Sequence, residues 1–409
     1  VALLDETLDE PGFHALVRAC LDAHPALRLI ENRAAQRFEP AKGSDLVARL
    51  CHYETRATLT DDPAAYLGPR PDLFDDPTLP PFRAACHVAA RPARIDPDSA
   101  ARAPAAVLVF VASHSMLEGA DLAAVLRGRD RTRPQISPRK LRLAVRLGLA
   151  VVAPVLALVH AALAKRESRK PQDFAFATVE LARADVARAA REMGLRKRSL
   201  LFALALYTIA GDKVGRRQSA VYSTLPREHV RLEDDSVLSV RTHFLSFRAP
   251  RPLRDYARRL DRELTRQNET ELVSQFLGNR LLSLHRRLIL WLPALYRGAF
   301  FGFAPNDMVL SLVTPVLPGP PFDALAQARL FGATYSGTVP SVIYLWTARS
   351  VTMGCWLEKS RHGDLARLVE SCAELGIAVR VSTRPAGDAA GHVVADGGAP
   401  GGDGTASPA

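Results

Sequence analysis

The chain has 409 residues, 48% of them hydrophobic and 24% charged, which excludes global disorder and suits two domains of about 200 residues or one unusually large one. Its five cysteines, Cys20, Cys51, Cys86, Cys355 and Cys372, are scattered without a CxxC pair, which argues against a disulfide scaffold or a four-cysteine zinc site and for a reducing compartment. Lys and Arg total 54 against 43 Asp and Glu, a net charge of +11. Such a surplus suits nucleic acid, a membrane surface or an anionic cofactor, so its location decides between them.

Val1–Leu4 is a short apolar, strand-like run, and the chain opens without an initiator Met or a signal-peptide pattern, from which a trimmed or processed start is expected. From Pro11 to Ala23, Phe13, Leu16, Val17, Cys20 and Leu21 recur with helical spacing. Residues Pro71 to Pro81 are rich in Pro and Asp and read as a loop, and Ala105–Ala112 is an unbroken, valine-rich run that reads as a buried strand. Gly119–Leu126 has a helical pattern.

The charge is concentrated beyond that point. Between Arg127 and Lys170 there are twelve basic and two acidic residues, a surplus of ten. Within this segment Leu147–Ala164 carries no Lys, Arg, Asp or Glu, while Arg139, Lys140, Arg142 and Arg146 precede it and Lys165, Arg166, Arg169 and Lys170 follow it. Three readings stay open: a helix lying on an anionic membrane surface, a buried helix with basic ends, and a short span interrupted by Pro154 and His160. Nucleic acid is disfavoured, because the segment lacks interleaved aromatics and no zinc-finger or RNP-type motif is present.

A second series follows: Phe174–Val179 as strand, Ala182–Met193 and Ser199–Ala210 as helices, Val237–Phe247 as strand and Pro252–Thr265 as a charged helix. Leu281–Leu295, with Trp291 and flanking Arg280, Arg286, Arg287 and Arg297, repeats the basic and apolar theme. Met308–Val316 and Val342–Thr347 read as strands and His362–Leu375 as an amphipathic helix, whereas Pro385–Ala409 holds almost no large apolar groups and is expected to be disordered. The organisation expected is mixed α/β in two lobes, residues 1–170 and 171–384, with a disordered tail over 385–409.

The stretch carrying chemistry is Ser113-His114-Ser115-Met116-Leu117-Glu118-Gly119, directly after the valine-rich strand. An imidazole at a strand end titrates near neutrality and can take and return a proton, with Gly119 easing the turn into the next helix. The residues alone leave two roles open for His114, general base or hydrogen-bonded structural residue. The other histidines form no cluster at metal-ligand spacing, so no metal site is expected, and His24 reads as a helix-end packing residue. There is no G-x-S-x-G elbow, P-loop or G-x-G-x-x-G.

Ser113-His114-x-x-x-Glu118-Gly119 is similar to the HHxxxDG signature of the chloramphenicol-acetyltransferase-like superfamily. That superfamily includes peptide-synthetase condensation domains and the bacterial wax ester synthase/diacylglycerol acyltransferases. His24-Pro25-Ala26-Leu27-Arg28, Pro80-Pro81-Phe82-Arg83-Ala84, and Ser311 to Pro320 followed by Gly332-Ala333 resemble further segments of the family, the last of them most like the wax ester synthase branch. Ser113 replaces the first His and Glu118 the Asp, and the DFGWG motif of plant-type members is absent.

The resemblance implies a two-lobed α/β fold, each lobe a mixed sheet with flanking helices and a tunnel between them. It implies an O-acyltransferase that moves an acyl group from a thioester to the hydroxyl of a hydrophobic acceptor. His114 would be the general base, Ser113, Glu118 and Gly119 the structural part of the motif, and Ser311 and Thr314 candidate oxyanion or substrate donors. No cofactor is implied beyond acyl-CoA or an acyl carrier protein as co-substrate. The expected setting is cytoplasmic, with peripheral contact to the inner face of an anionic membrane through 127–170. Two alternatives accompany this reading: amide or ester formation on carrier-bound substrates in secondary metabolism, and a degenerate member that binds lipid or a partner without turnover.

Overall fold

The computed structural model describes residues 1–32, 37–41, 45–66, 76, 78–90, 103–112, 148, 151–152, 174–211, 214–224, 241–269, 307–313, 318–319, 322–325, 328–333, 339–348 and 350–383. The expected helix over 119–126, the basic segment 127–170 apart from three residues, the run 281–295 and the tail 385–409 lie outside them.

The chain begins with β1 (Ala2–Leu4) and α1 (Glu10–Ala23). The Asp9 side chain accepts the Gly12 amide at 2.9 Å and opens α1, whose buried stripe is Phe13, Leu16, Val17, Cys20 and Leu21. It ends where the His24 amide reaches the Cys20 carbonyl at 3.0 Å and Pro25 follows. A small hairpin, β2 (Leu29–Asn32) and β3 (Arg37–Pro40), leads to a short helix α2 (Leu46–Leu50), then β4 (Cys51–Arg56), β5 (Phe82–Ala89) and β6 (Ala106–Ala112).

The second half supplies β7 (Phe174–Ala182), α3 (Arg183–Glu192), α4 (Lys197–Ile209), β8 (Arg217–Thr224), β9 (Arg241–Arg248), α5 (Leu253–Glu269) and β10 (Met308–Val313). It continues with β11 (Arg329–Leu330), β12 (Ser341–Trp346), β13 (Ser350–Glu358), α6 (Asp364–Glu374) and β14 (Val379–Thr383).

Two mixed sheets organise these elements. The first runs β11-β1-β6-β5-β4, with β4 and β5 parallel and the other neighbours antiparallel. Its edge strand β11 comes from the second half of the chain and pairs Leu330 with Ala2. One face of this sheet packs under α1, through Ala84, Cys86, Val88, Ala106 and Leu108.

The second sheet runs β14-β7-β13-β12-β10-β8-β9; its centre pairs β12, β10 and β8 in parallel. Helices α3 to α6 cover one face. Among them α4 is apolar around nearly its whole circumference, because sheet, α5 and α6 enclose it; Leu200 to Leu206 are each 0% exposed. The other face turns toward the first sheet: Val313 of β10 and Leu345 of β12 belong to the first sheet's core, and Phe174, Phe176 and Trp356 pack with Ala64.

Among the described residues no helix is long and apolar enough to cross a membrane.

Candidate functional site

Ser113, His114, Glu118, Gly119 and Thr314 lie outside the described residues, but the strand leading to the motif is defined. β6 is the central strand of the first sheet, hydrogen-bonded to β1 and β5 on either side. Ala106 to Val109 are buried, whereas Phe110, Val111 and Ala112 are half-buried, so β6 leaves the core as it approaches position 113. Its last pair is Ala112 with Phe82, and the Phe110 and Phe82 rings stack 6.3 Å apart. Arg83 fixes the adjoining start of β5 by donating from Nη1 to the carbonyls of Pro80 and Phe82 at 2.8 and 2.7 Å. The point at which the chain departs toward His114 is therefore held by paired strands, an aromatic stack and a guanidinium.

Ser311 sits on β10, opposite Ile343 of β12 and Ser223 of β8. Met308 and Leu310 point into the helix-covered core; Ser311 alternates with them, sharing a face with Val313, which packs in the first sheet's core. Half-buried on that face, Ser311 presents its hydroxyl to the side of the sheet that turns to the first sheet. Asp307 anchors the strand: its Oδ2 accepts the Ser219 amide at 2.7 Å, and its own amide donates to the Ser219 carbonyl at 3.0 Å.

The seam between the sheets carries polar groups that no motif signalled. Arg380 of β14 pairs with Asp61, and these two line a small cleft with Pro63, Thr178, Glu180, Arg329 and Phe331. Its cavity volume is about 10 Å³, room for about one water molecule, so it is too small to be an acyl-substrate chamber. Nearby, the Thr352 hydroxyl donates to the Leu330 carbonyl at 2.7 Å, tying β13 to the crossing strand β11.

A second cluster lies on β4 and β5. His87 Nδ1 is 3.1 Å from Glu54 Oε2, which also takes the Arg56 guanidinium at 2.9 Å. The Tyr66 ring stacks on His87 at 5.6 Å, and His52 lies edge-on at 6.4 Å. Burial, then repulsion from Arg56, lowers the His87 pKa against the opposing pull of Glu54, and the hydrogen bond from Arg56 holds the Glu54 carboxyl below its ordinary range. Burial pushes the Cys20, Cys86, Cys355 and Cys372 thiols up to about 12 and Cys51 to about 11, so none is a thiolate at neutral pH. Among the described residues no group of three or more His, Cys, Asp or Glu side chains is arranged to hold a metal ion.

No protein-family model matches the sequence, and no curated protein matches it. Solved structures do. The nonribosomal peptide synthetase FmoA3 in its AMPPNP-bound form aligns with a TM-score of 0.55 at 13% identity, over 91% of this chain and 40% of that one. The EpoB cyclization-docking bidomain from Sorangium cellulosum, in its rhombohedral crystal form, aligns with a TM-score of 0.51 at 13% identity, over 91% of this chain and 77% of that one. The chain thus spans about two fifths of the length of FmoA3.

At such identity the likeness shows the fold alone: mixed α/β with two mixed sheets, as expected from the sequence and as in these peptide synthetase proteins. Both neighbours are peptide synthetase proteins, and neither singles out the wax ester synthase branch.

Proposed function

We propose that the chain is a condensation-type acyltransferase. It joins an acyl group, held as a thioester on a carrier protein, to an amine or hydroxyl acceptor, with His114 as general base. The observation that carries this reading is positional: β6 ends at Ala112, one residue before the Ser113–Gly119 motif, in a fold shared with peptide synthetase proteins. The same two neighbours favour amide or ester formation on carrier-bound substrates over wax ester synthesis.

In this reading residues 1–170 and 171–384 supply opposite walls, and the two substrates approach His114 from opposite mouths. His114 Nε2 takes the proton of the acceptor as its nitrogen or oxygen attacks the thioester carbonyl. The tetrahedral oxyanion is stabilised by hydrogen-bond donors, for which Ser311 and Thr314 are the candidates. Collapse breaks the carbon–sulfur bond, and His114 returns the proton to the departing thiolate. Glu118 pairs with an arginine to hold the loop, and Gly119 makes the turn. No metal or bound cofactor takes part.

Val151 and Val152 give a specific reason to keep a second reading. They are helical, 74% and 48% exposed, and lie within the uncharged run flanked by basic residues. Such a surface suits an anionic membrane and an acceptor dissolved in it, as a wax ester or diacylglycerol synthase using acyl-CoA would need.

One experiment separates the readings: thiol release from acyl-carrier protein and from acyl-CoA, each offered amines and long-chain alcohols, for wild type and His114→Ala. Carrier-dependent turnover abolished by the substitution supports the main reading. Turnover with acyl-CoA and alcohol, together with flotation on anionic vesicles, supports the second. Turnover unaffected by His114→Ala removes the mechanism, and no turnover with any donor points to a degenerate binding protein.

A further inference from the structure

Helix α5 carries a row of arginines that the acyl-transfer reading does not use. Its inner face is Tyr256, Ala257, Leu260 and Leu264, each 0% exposed. Opposite these, Arg254, Arg258, Arg262 and Arg266 recur every fourth residue, and all four are exposed. The rise of a helix sets them about 6 Å apart, along a row of about 18 Å.

Two carboxylates of the helix are paired: Glu263 with Arg259 at 2.6 Å and Asp261 with Arg196 at 2.8 Å. Among the described residues Arg254, Arg258 and Arg262 make no ion pair, and Asp255 is the one carboxylate of the helix described as exposed. Arg251, two residues before the helix, is exposed as well.

We propose that this surface docks an acidic helix of a partner protein. Carboxylates spaced four residues apart on such a helix repeat at the same distance of about 6 Å, so the two rows can meet in register. Arginine favours this partner, since its planar fork takes a carboxylate in two parallel hydrogen bonds. The surface does not suit insertion into lipid or stacking on bases: the exposed large hydrophobic residues of the described chain are Val151, Val152 and Val369, none of them on α5.

The test uses the full chain and a labelled synthetic helical peptide bearing Glu at every fourth position, with a scrambled peptide of equal composition, followed by fluorescence anisotropy. The triple variant Arg254→Glu, Arg258→Glu, Arg262→Glu is expected to weaken binding about tenfold or more. A control triple of exposed residues elsewhere, Arg18→Glu, Arg191→Glu, Lys359→Glu, which changes the net charge equally, is expected to change it less than about twofold. The milder Arg254→Gln, Arg258→Gln, Arg262→Gln variant, with its folding checked by circular dichroism, should also lose affinity, and the scrambled peptide should bind more weakly than the patterned one. Equal losses from the two charge-reversal triples, or equal binding of the two peptides, overturn the proposal. So does tighter binding of duplex DNA or anionic vesicles that is lost on reversing the row.

Discussion

The backbone of Gly332 lies directly against Gly354, so that a methyl group on Gly354 would overlap the Gly332 carbonyl oxygen. Gly354 is on β13 of the second sheet, and Gly332 follows the strand β11 that completes the first. The two sheets meet here backbone to backbone. Gly354→Ala should therefore force the crossing segment away and cost about 3 kcal/mol. Gly363→Ala is the control, because its added methyl would meet nothing within 4 Å; it should stay within about 0.5 kcal/mol. Urea denaturation of the two variants checks both values.

A buried polar hub should be comparably sensitive. Gln218, 1% exposed, donates from Nε2 to the Ala210 carbonyl at 2.8 Å and accepts the Tyr256 hydroxyl at Oε1. Gln218→Leu leaves the hydroxyl and the carbonyl without this partner and should cost about 2–4 kcal/mol. Tyr256→Phe strands a single acceptor and should cost about 1–2 kcal/mol. The expected order, with Gln218→Leu the worse, is read from denaturant midpoints.

The Asp61–Arg380 pair joins the segment that follows β4 in the first half to β14 of the second. Its side chains are 23% and 40% exposed, so solvent screening limits its worth. A double-mutant cycle with Asp61→Asn and Arg380→Gln should give a coupling of about 0.5–1 kcal/mol, diminishing in 1 M salt.

Stability should fall as pH drops below about 6.5. His87 titrates lower in the native chain than its ordinary value of about 6.5, so in that window the unfolded chain takes up a proton that the folded chain resists. His362, lowered by its burial, acts in the same direction. The Glu54 carboxyl, held low, contributes stability above about pH 4.3 that is lost as pH falls through its native value. His87→Asn should flatten the profile between about pH 5 and 7 relative to wild type, as measured by urea melts at half-unit steps.

The elements that were legible in the sequence are those in which one periodicity dominates. The stripe of α1, the valine run of β6 and the charged outer face of α5 each show a pattern that packing then respects. β13 was not legible. Eight of its nine residues are buried, but Met353, Gly354 and Cys355 interrupt the β-branched signature, and Gly354 serves the crossing backbone. β11 has two residues, too few for any period, and is a strand only because β1 offers an open edge. Around the candidate site, the strand that leads to the motif was legible in the sequence. The Glu54–His87 and Asp61–Arg380 partnerships join residues 33 and 319 positions apart and were beyond its reach.

The edge taken by Arg329 and Leu330 has a consequence for biosynthesis. β1 and β6 emerge from the ribosome early, yet the strand that seals the free side of β1 follows roughly 220 residues later, a delay of roughly 10–45 seconds at 5–20 residues per second. Throughout that interval a nascent chain presents unpaired amides and carbonyls of the kind that recruit other strands. Holdase chaperones have their natural foothold there, and fragments that stop short of Leu330 are released with that border unsealed.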